Sequence, residues 1–181
     1  DKDEFMPIFL DSLFKEIQMC QINTKNWEID SIFIGGGTPS LMSSKQLENL
    51  IKELDNNFDL SHVKEFTIEA NPGEAPEVRL KSFKSLGVNR VSMGVQSLNE
   101  DLLKFLTRIH GKDEVLKTFK ALRKVGFDNI NCDLIFNIPN QTLQIWGNDL
   151  KDILQLEPEH LSCYSLTVEK GTQLYNYVSP P

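Results

Sequence analysis

Acidic and amide side chains recur on one face of three predicted β-strands, where they could bind a polar ligand. In the first of these strands, Thr67, Glu69 and Asn71 alternate with apolar residues. Two later segments repeat the alternation with Ser92, Gly94, Gln96, Asn129, Asn131 and Asp133. Side chains alternate along a strand, so each polar set shares one face. Because an unpaired buried polar group costs about 1–3 kcal/mol, these groups must be satisfied by one another, by water or by a ligand.

A run of three glycines follows an earlier predicted strand, in the sequence GGGTPS at residues 35–40. Consecutive glycines let the backbone approach a ligand and expose its N–H and C=O groups. The run is neither a P-loop, which needs Gly-Lys-Ser/Thr, nor the spaced-glycine dinucleotide fingerprint. A simple tight turn would explain it equally well by itself. Its coincidence with polar residues near the carboxyl ends of strands favours a ligand site, because α/β folds place their sites there.

The elements that position these residues alternate between strands and helices. Runs rich in β-branched residues predict five strands, at residues 31–34, 65–70, 90–95, 129–136 and 160–168. Apolar residues at helical spacing predict a first helix with an apolar face formed by Phe5, Phe9, Leu13 and Ile17. Capping residues and periodicity predict five further helices, which begin near Ser43, Pro76, Asn99, Lys112 and Leu143.

This order of elements predicts an α/β fold with a parallel sheet and right-handed crossovers, either doubly wound or closed as a barrel. No linker or low-complexity tract interrupts the chain. Residues 1–181 are therefore predicted to form one domain.

Composition excludes several classes of function. The net charge of −7 argues against a general nucleic-acid binder, which would need Lys and Arg to contact phosphates. No apolar run approaches the roughly 20 residues that cross a bilayer, so no transmembrane segment is expected. The three cysteines, Cys20, Cys132 and Cys163, are too far apart for a local metal motif or a disulfide framework, which predicts a reducing, cytoplasmic location. Cys132 and Cys163 lie in predicted strands and are expected to be core thiols.

Four motifs occur in the order and at the spacing of a known family: GGGTPS at 35–40, IEANPG at 68–73, NRVSMGVQS at 89–97 and NCDLI at 131–135. With these motifs the chain resembles the radical S-adenosylmethionine proteins of haem and porphyrin metabolism over nearly its whole length. The resemblance implies a partial, TIM-like (β/α)6 barrel whose first strand is missing from this chain. It also implies two cofactors, S-adenosylmethionine and a 4Fe–4S cluster.

The resemblance implies eight cofactor-binding residues: Gly36, Gly37, Thr38, Glu69, Gln96, Arg108, Asp133 and Thr167. The two glycines and the first threonine would hold the methionine end of the cofactor through backbone and hydroxyl groups. The two carboxylates and the glutamine would take its amino and ribose hydroxyl groups. The arginine would pair with the methionine carboxylate, and a solvated charge at a helix end is the alternative for it. The last threonine would approach the adenine.

Two departures from the family pattern stand out. The family holds its cluster with a CxxxCxxC loop, because iron–sulfur clusters need thiolates, and this chain has no such triplet. The cluster ligands are expected upstream of Asp1, so no metal ligand or catalytic residue is predicted here, and the chain alone is expected to be inactive. Asn137 and Asn140 stand where family members carry glycines, and Asn tolerates the left-handed backbone that such a turn requires.

Three functions remain open. Stretches at residues 106–110, 126–131 and 161–172 resemble the haem chaperones of this family more than its oxidases, which implies a protein that binds haem and transfers it to an acceptor protein. An oxygen-independent coproporphyrinogen III oxidase, an oxidoreductase that needs an electron donor and decarboxylates a porphyrinogen, is the alternative. A cofactor-free α/β scaffold is the third. His110 could ligate haem, although a solvated loop histidine is the favoured interpretation.

Overall fold

Five parallel strands form one sheet in the computed structural model, which describes residues 3–20 and 27–178. The strands are β1 Ser31–Ile34, β2 Glu65–Ala70, β3 Arg90–Gln96, β4 Ile130–Phe136 and β5 His160–Ser165. The helices are α1 Met6–Cys20, α2 Ser44–Asn57, α3 Glu77–Ser85, α4 Glu100–Phe105, α5 Lys112–Val125, α6 Leu143–Leu154 and α7 Gln173–Val178. Short 3-10 turns lie at Asp3–Phe5 and Pro39–Leu41.

The sheet follows the order of the chain, β1-β2-β3-β4-β5, and each pair of neighbouring strands is parallel. A doubly wound sheet would reverse its strand order at a switch point. Because this sheet advances in one direction, its right-handed crossovers all lie on the same side, and the strands curl into a half-barrel. The α/β prediction is confirmed, and the barrel alternative is the correct one.

Most helix boundaries follow local chemistry that the sequence displays. Ser43 Oγ accepts a hydrogen bond from the Gln46 amide at 3.2 Å, and Gln46 Oε1 accepts one from the Ser43 amide at 2.7 Å. This capping box confirms the predicted start of α2. Asn99 Oδ1 caps α4 through two backbone amides. Gly126 ends α5 with φ +96°, a conformation that glycine adopts without strain.

The prediction that the apolar face of the first helix is buried is wrong in part. Leu10 and Ile17 are buried, whereas Phe5 is 65% exposed and Phe9 is 59% exposed. The reason is that both phenylalanines border an apolar groove over β1 that no other described element covers. The sequence also missed α7, and β5 ends at Ser165, three residues before the predicted limit.

The core lies between the outward faces of the strands and the helices. Apolar residues of β3 and β4 are fully buried there, among them Val91, Met93, Ile130 and Leu134. Cys132 shares this face, as predicted, and burial raises the pKa of its thiol to about 12.

The same prediction is wrong for Cys163, which is exposed. Within the described residues, its strand, β5, lies at the edge of the sheet and has a neighbour on one side only. Its outward face is therefore less covered than that of β4.

Candidate functional site

A polar cavity of about 160 Å³ opens at the carboxyl ends of the strands. Its lining residues are Gly37, Thr38, Glu69, Ala70, Asn71, Ser92, Gly94, Gln96, Arg108 and Asp133. An adjoining cavity of about 320 Å³ shares four of them and extends along the barrel interior to Phe33 and Tyr164. Six of the eight residues predicted from the sequence therefore line one cavity.

The glycine turn after β1 is built around Glu69. The Gly36 amide donates a hydrogen bond to Glu69 Oε2 at 2.8 Å, which joins the turn to the end of β2. Gly36 and Gly37 have φ of +84° and +65°, the left-handed region that favours glycine. A side chain at Gly35 would place its Cβ 2.6 Å from Phe33 Cε1 and 2.9 Å from Glu69 Oε1. Glycine at position 35 thus lets the backbone lie directly against the carboxylate.

Asn71 connects the same turn to the loop after β2. Its Nδ2 donates to Thr38 Oγ1 at 3.2 Å and to Glu74 Oε2 at 3.1 Å. The threonine hydroxyl predicted to bind the cofactor is therefore held in place by an amide from the neighbouring strand.

Asp133 is oriented by two donors, one for each carboxylate oxygen. Ser92 Oγ donates to Oδ2 at 2.9 Å and Asn131 Nδ2 donates to Oδ1 at 2.7 Å. The side-chain oxygen of Asn131, Oδ1, accepts a hydrogen bond from Ser162 Oγ at 3.1 Å and lies 2.6 Å from His160 Nδ1. A carboxylate has about four acceptor positions, so Asp133 keeps acceptor capacity for a ligand in the cavity.

Gln96 ends β3 in a strained conformation. Its φ is +68°, and a left-handed non-glycine residue costs about 1–2 kcal/mol. The register between β3 and β4 shifts at the same place, which turns the side chain toward the cavity. Gly94, two residues earlier, leaves room for it, because a Cβ there would lie 2.9 Å from both Gln96 Nε2 and Asn71 Oδ1.

Arg108 reaches the cavity from the loop between α4 and α5. Its backbone amide donates to Leu103 O at 2.9 Å, which fixes where the loop leaves α4. Within residues 3–20 and 27–178, its guanidinium forms no ion pair with a carboxylate. A half-buried positive charge in a polar cavity is suited to binding an anionic group.

His110 lies on the same loop but faces inward, contrary to the expected solvated side chain. It is buried, and its Nε2 lies 3.1 Å from the carbonyl oxygen of Val95. Burial lowers the pKa of the imidazole below its ordinary value, and the charge of Arg108 lowers it further. Sequence reasoning missed this burial because it depends on a backbone acceptor in another element.

Thr167 is the predicted residue that the structure leaves apart. It lies beyond the end of β5, is exposed, and its hydroxyl is 3.5 Å from Ser165 O. Asn71, Ser92 and Gly94 line the cavity although they were not assigned to the site. The sequence placed all three on the polar strand faces, but the resemblance did not include them among the eight cofactor-binding residues.

The turn after β4 has the conformation expected from the sequence. Asn137 and Asn140 have φ of +62° and +68°, so asparagine supplies the left-handed backbone that glycines would otherwise provide.

No group of three or more His, Cys, Asp or Glu residues that could hold a metal ion occurs within the described part of the chain. Cys20 and Cys163 are exposed and Cys132 is buried in the core, and none of the three lines the polar cavity. The described residues therefore do not provide the thiolates that an iron–sulfur cluster needs. Among these same residues, no helix is long and apolar enough to cross a membrane.

A parallel half-barrel with glycine-rich and acidic residues at the carboxyl ends of its strands defines the class of protein. The chain belongs to the Radical SAM superfamily, whose family model matches residues 14–153.

Among particular proteins, it is 39% identical to the "Heme chaperone HemW" of Lactococcus lactis subsp. lactis over 168 residues, which cover 93% of this chain and 43% of the relative. The protein of the same name from Bacillus subtilis is 40% identical over 172 residues, with 93% and 45% covered. The chain thus spans less than half the length of these curated relatives.

The solved structure of coproporphyrinogen III oxidase (HemN) from Escherichia coli, described as a Radical SAM enzyme, is also similar. It superposes with a TM-score of 0.82 at 28% sequence identity, over 92% of this chain and 39% of that one.

Proposed function

We propose that this chain forms the S-adenosylmethionine-binding wall of a haem chaperone. The observation that carries the proposal is that Glu69, Gln96, Arg108 and Asp133, from three strands and one loop, line a single polar cavity. Two carboxylates, an amide and a guanidinium that forms no ion pair with the described residues match a ligand that carries an ammonium group, a carboxylate and two ribose hydroxyls. The two adjoining cavities, about 160 and 320 Å³, together fall within the usual size range of small-molecule sites, roughly 300–1,000 Å³.

Three charged groups in the cavity each have a task that their chemistry supports. Arg108 would pair with the methionine carboxylate, as a charge-assisted hydrogen bond favours. Glu69, held by the Gly36 amide, would accept from the ammonium group. Asp133, oriented by Ser92 and Asn131, would accept from ribose hydroxyls. When bound, S-adenosylmethionine would supply the adenosyl group on which the chemistry of this superfamily depends.

The 4Fe–4S cluster is expected on cysteines outside this chain, because the described residues do not fit it. Residues 1–181 would then serve as one core domain that binds the organic cofactor. Alone, they would be catalytically inactive.

The chaperone is favoured over the oxidase by sequence identity. The HemW relatives are 39–40% identical to this chain, whereas the HemN structure is 28% identical. Haem would be the cargo, and the partners would be a haem-acceptor protein and an electron donor in the cytoplasm. Coproporphyrinogen III oxidase remains the second candidate, since the backbone superposes closely on that enzyme.

The two candidates differ in turnover. The full protein with its cluster reconstituted is incubated with haem, and separately with coproporphyrinogen III and a reductant. We expect stoichiometric haem uptake, followed by absorbance, and no decarboxylated porphyrin by chromatography. Decarboxylation that requires S-adenosylmethionine would establish the oxidase instead, and an absence of both haem uptake and turnover would contradict both candidates.

A further inference from the structure

At the end of β3 the backbone has a conformation that residues other than glycine rarely adopt. Gln96 has φ of +68°, and its side chain lines the polar cavity. A left-handed conformation in a non-glycine residue persists only where the surrounding structure fixes it. The groups that hold the backbone on either side of Gln96 therefore determine where its side-chain amide lies in the cavity.

Before Gln96, the backbone is held by His110. The imidazole Nε2 lies 3.1 Å from Val95 O, and the side chain is 6% exposed. The same carbonyl accepts from the Ser97 amide at 2.9 Å, so two donors converge on the residue preceding the strained one. A carbonyl oxygen can only accept a hydrogen bond. The imidazole must therefore be the donor, with its proton on Nε2.

After Gln96, the backbone is held by Asp149 of α6. This carboxylate is 3% exposed and accepts from Ser97 Oγ at 2.6 Å and from the Leu98 amide at 3.1 Å. Gln96 is thus bracketed by a buried imidazole on one side and a buried carboxylate on the other.

The two buried groups differ in what else they are attached to. His110 is two residues from Arg108, which lines the same cavity as Gln96, so its hydrogen bond ties the Arg108 loop to the end of β3. Asp149 lies on α6 and holds only the turn after Gln96. His110 is therefore placed to fix the position of Arg108 relative to Gln96. Asp149 is placed to fix Gln96 alone.

We propose that His110 is a positioning residue for the ligand of this cavity, setting Arg108 and Gln96 jointly through its hydrogen bond to the Val95 carbonyl. The inference rests on the proposed function, because its readout is affinity for S-adenosylmethionine. His110 acts through the two cavity groups and is not itself among the cavity-lining residues. This role also removes it as a haem ligand, since its Nε2 is occupied and its ring is buried.

The test measures S-adenosylmethionine affinity by calorimetry on the full protein carrying His110→Leu, His110→Gln or His110→Asn. Leucine has no donor, so we expect affinity to fall about tenfold, in line with the loss of one buried hydrogen bond. Glutamine places an N–H about as far from the backbone as the imidazole Nε2, and it should restore affinity to near the wild-type value. Asparagine is one methylene shorter and should resemble leucine, so the Gln/Asn pair keeps the test valid if the leucine variant fails to fold.

A double-mutant cycle separates positioning from general stability. In an Arg108→Ala background, the loss caused by His110→Asn should shrink, because one of the two positioned groups is already absent. The loss caused by Asp149→Asn should be nearly the same in both backgrounds. If wild-type protein fails to bind S-adenosylmethionine, the proposed function is wrong. If wild-type protein binds but the glutamine and asparagine variants bind equally well, or the cycle is additive, the role of His110 is wrong.

Discussion

The Gly36 amide lies 2.8 Å from Glu69 Oε2 and donates a hydrogen bond to it. This contact makes the glycine turn and the acidic residue of β2 one unit, although 33 positions separate them. The site is therefore a set of backbone turns and carboxylates that hold one another in place before any ligand binds. Such preorganisation reduces the ordering cost of binding.

Removing the Glu69 carboxylate should weaken S-adenosylmethionine binding. Glu69→Ala deletes both a proposed ligand contact and the acceptor of the Gly36 amide, and we expect at least a tenfold loss of affinity, since hydrogen bonds to charged groups contribute about 1.5–3 kcal/mol. Calorimetry on the full protein measures the change. The exposed Glu100→Ala serves as the control and should bind as the wild type does. Equal affinities for the two variants would exclude Glu69 from the site.

Adding a methyl group at Gly94 should disturb binding more than folding. The new Cβ would lie 2.9 Å from Asn71 Oδ1 and from Gln96 Nε2, and both are ends of side chains that can move. Gly94→Ala should therefore displace two cavity groups and reduce affinity for S-adenosylmethionine, while the midpoint of thermal unfolding changes little.

The matched control is Gly147→Ala in α6, where no atom lies within 4 Å of the added Cβ. It should raise the free energy of unfolding by about 0.5–1 kcal/mol, because alanine favours a helix over glycine, and leave binding unchanged. Normal binding by the Gly94 variant would show that the added methyl displaces no group that contacts the ligand, and unfolding well below the wild type would show that Asn71 and Gln96 cannot move aside; either result would contradict the prediction.

The strand faces, and thus most of the cavity, could be predicted from the sequence because alternation is a local property. Glu69, Gln96 and Asp133 follow from it directly, and the resemblance added Arg108. His110 could not be found this way, since its burial depends on a carbonyl that the left-handed turn at Gln96 leaves accessible. Thr167 was assigned from the resemblance alone, and the structure places it beyond the end of β5, because strand ends are set by pairing with a neighbour.

Asn131 should be important for stability. It supplies a donor to Asp133 and an acceptor to Ser162 and lies against His160, and it is 1% exposed. Asn131→Leu would remove one hydrogen-bond partner from each of these groups, of which Asp133 and Ser162 are half-buried, and we expect a loss of about 1–3 kcal/mol in the free energy of unfolding by urea. The exposed Asn148→Leu should stay within about 0.5 kcal/mol of the wild type. Equal effects of the two substitutions would show that the interior network adds nothing to folding.

The buried imidazole of His110 should make stability fall in mild acid. Burial and the Arg108 charge lower its pKa in the folded protein, while the Val95 hydrogen bond, Glu74 and Glu114 oppose them. The unfolded chain therefore takes up the proton more readily. The stability contributed by the neutral ring is complete above the unfolded pKa of about 6.5 and is lost as pH falls below it.

Unfolding by urea at several pH values between about 7 and 5 tests this prediction. His110→Gln has no titratable group and should lose less stability over this interval than the wild type. His62→Gln, at an exposed position, should keep the wild-type slope. A His110→Gln protein with the same pH dependence as the wild type would contradict the lowered pKa.

The central claim is that the cavity of this chain binds S-adenosylmethionine through Asp133 and its neighbours, and calorimetric titration of the full protein tests it most directly. We expect saturable binding by the wild type and by Asp101→Asn, whose carboxylate is 92% exposed, with at least about tenfold weaker binding by Asp133→Asn. Equal affinity in the two variants, or no binding by the wild type, would contradict the account.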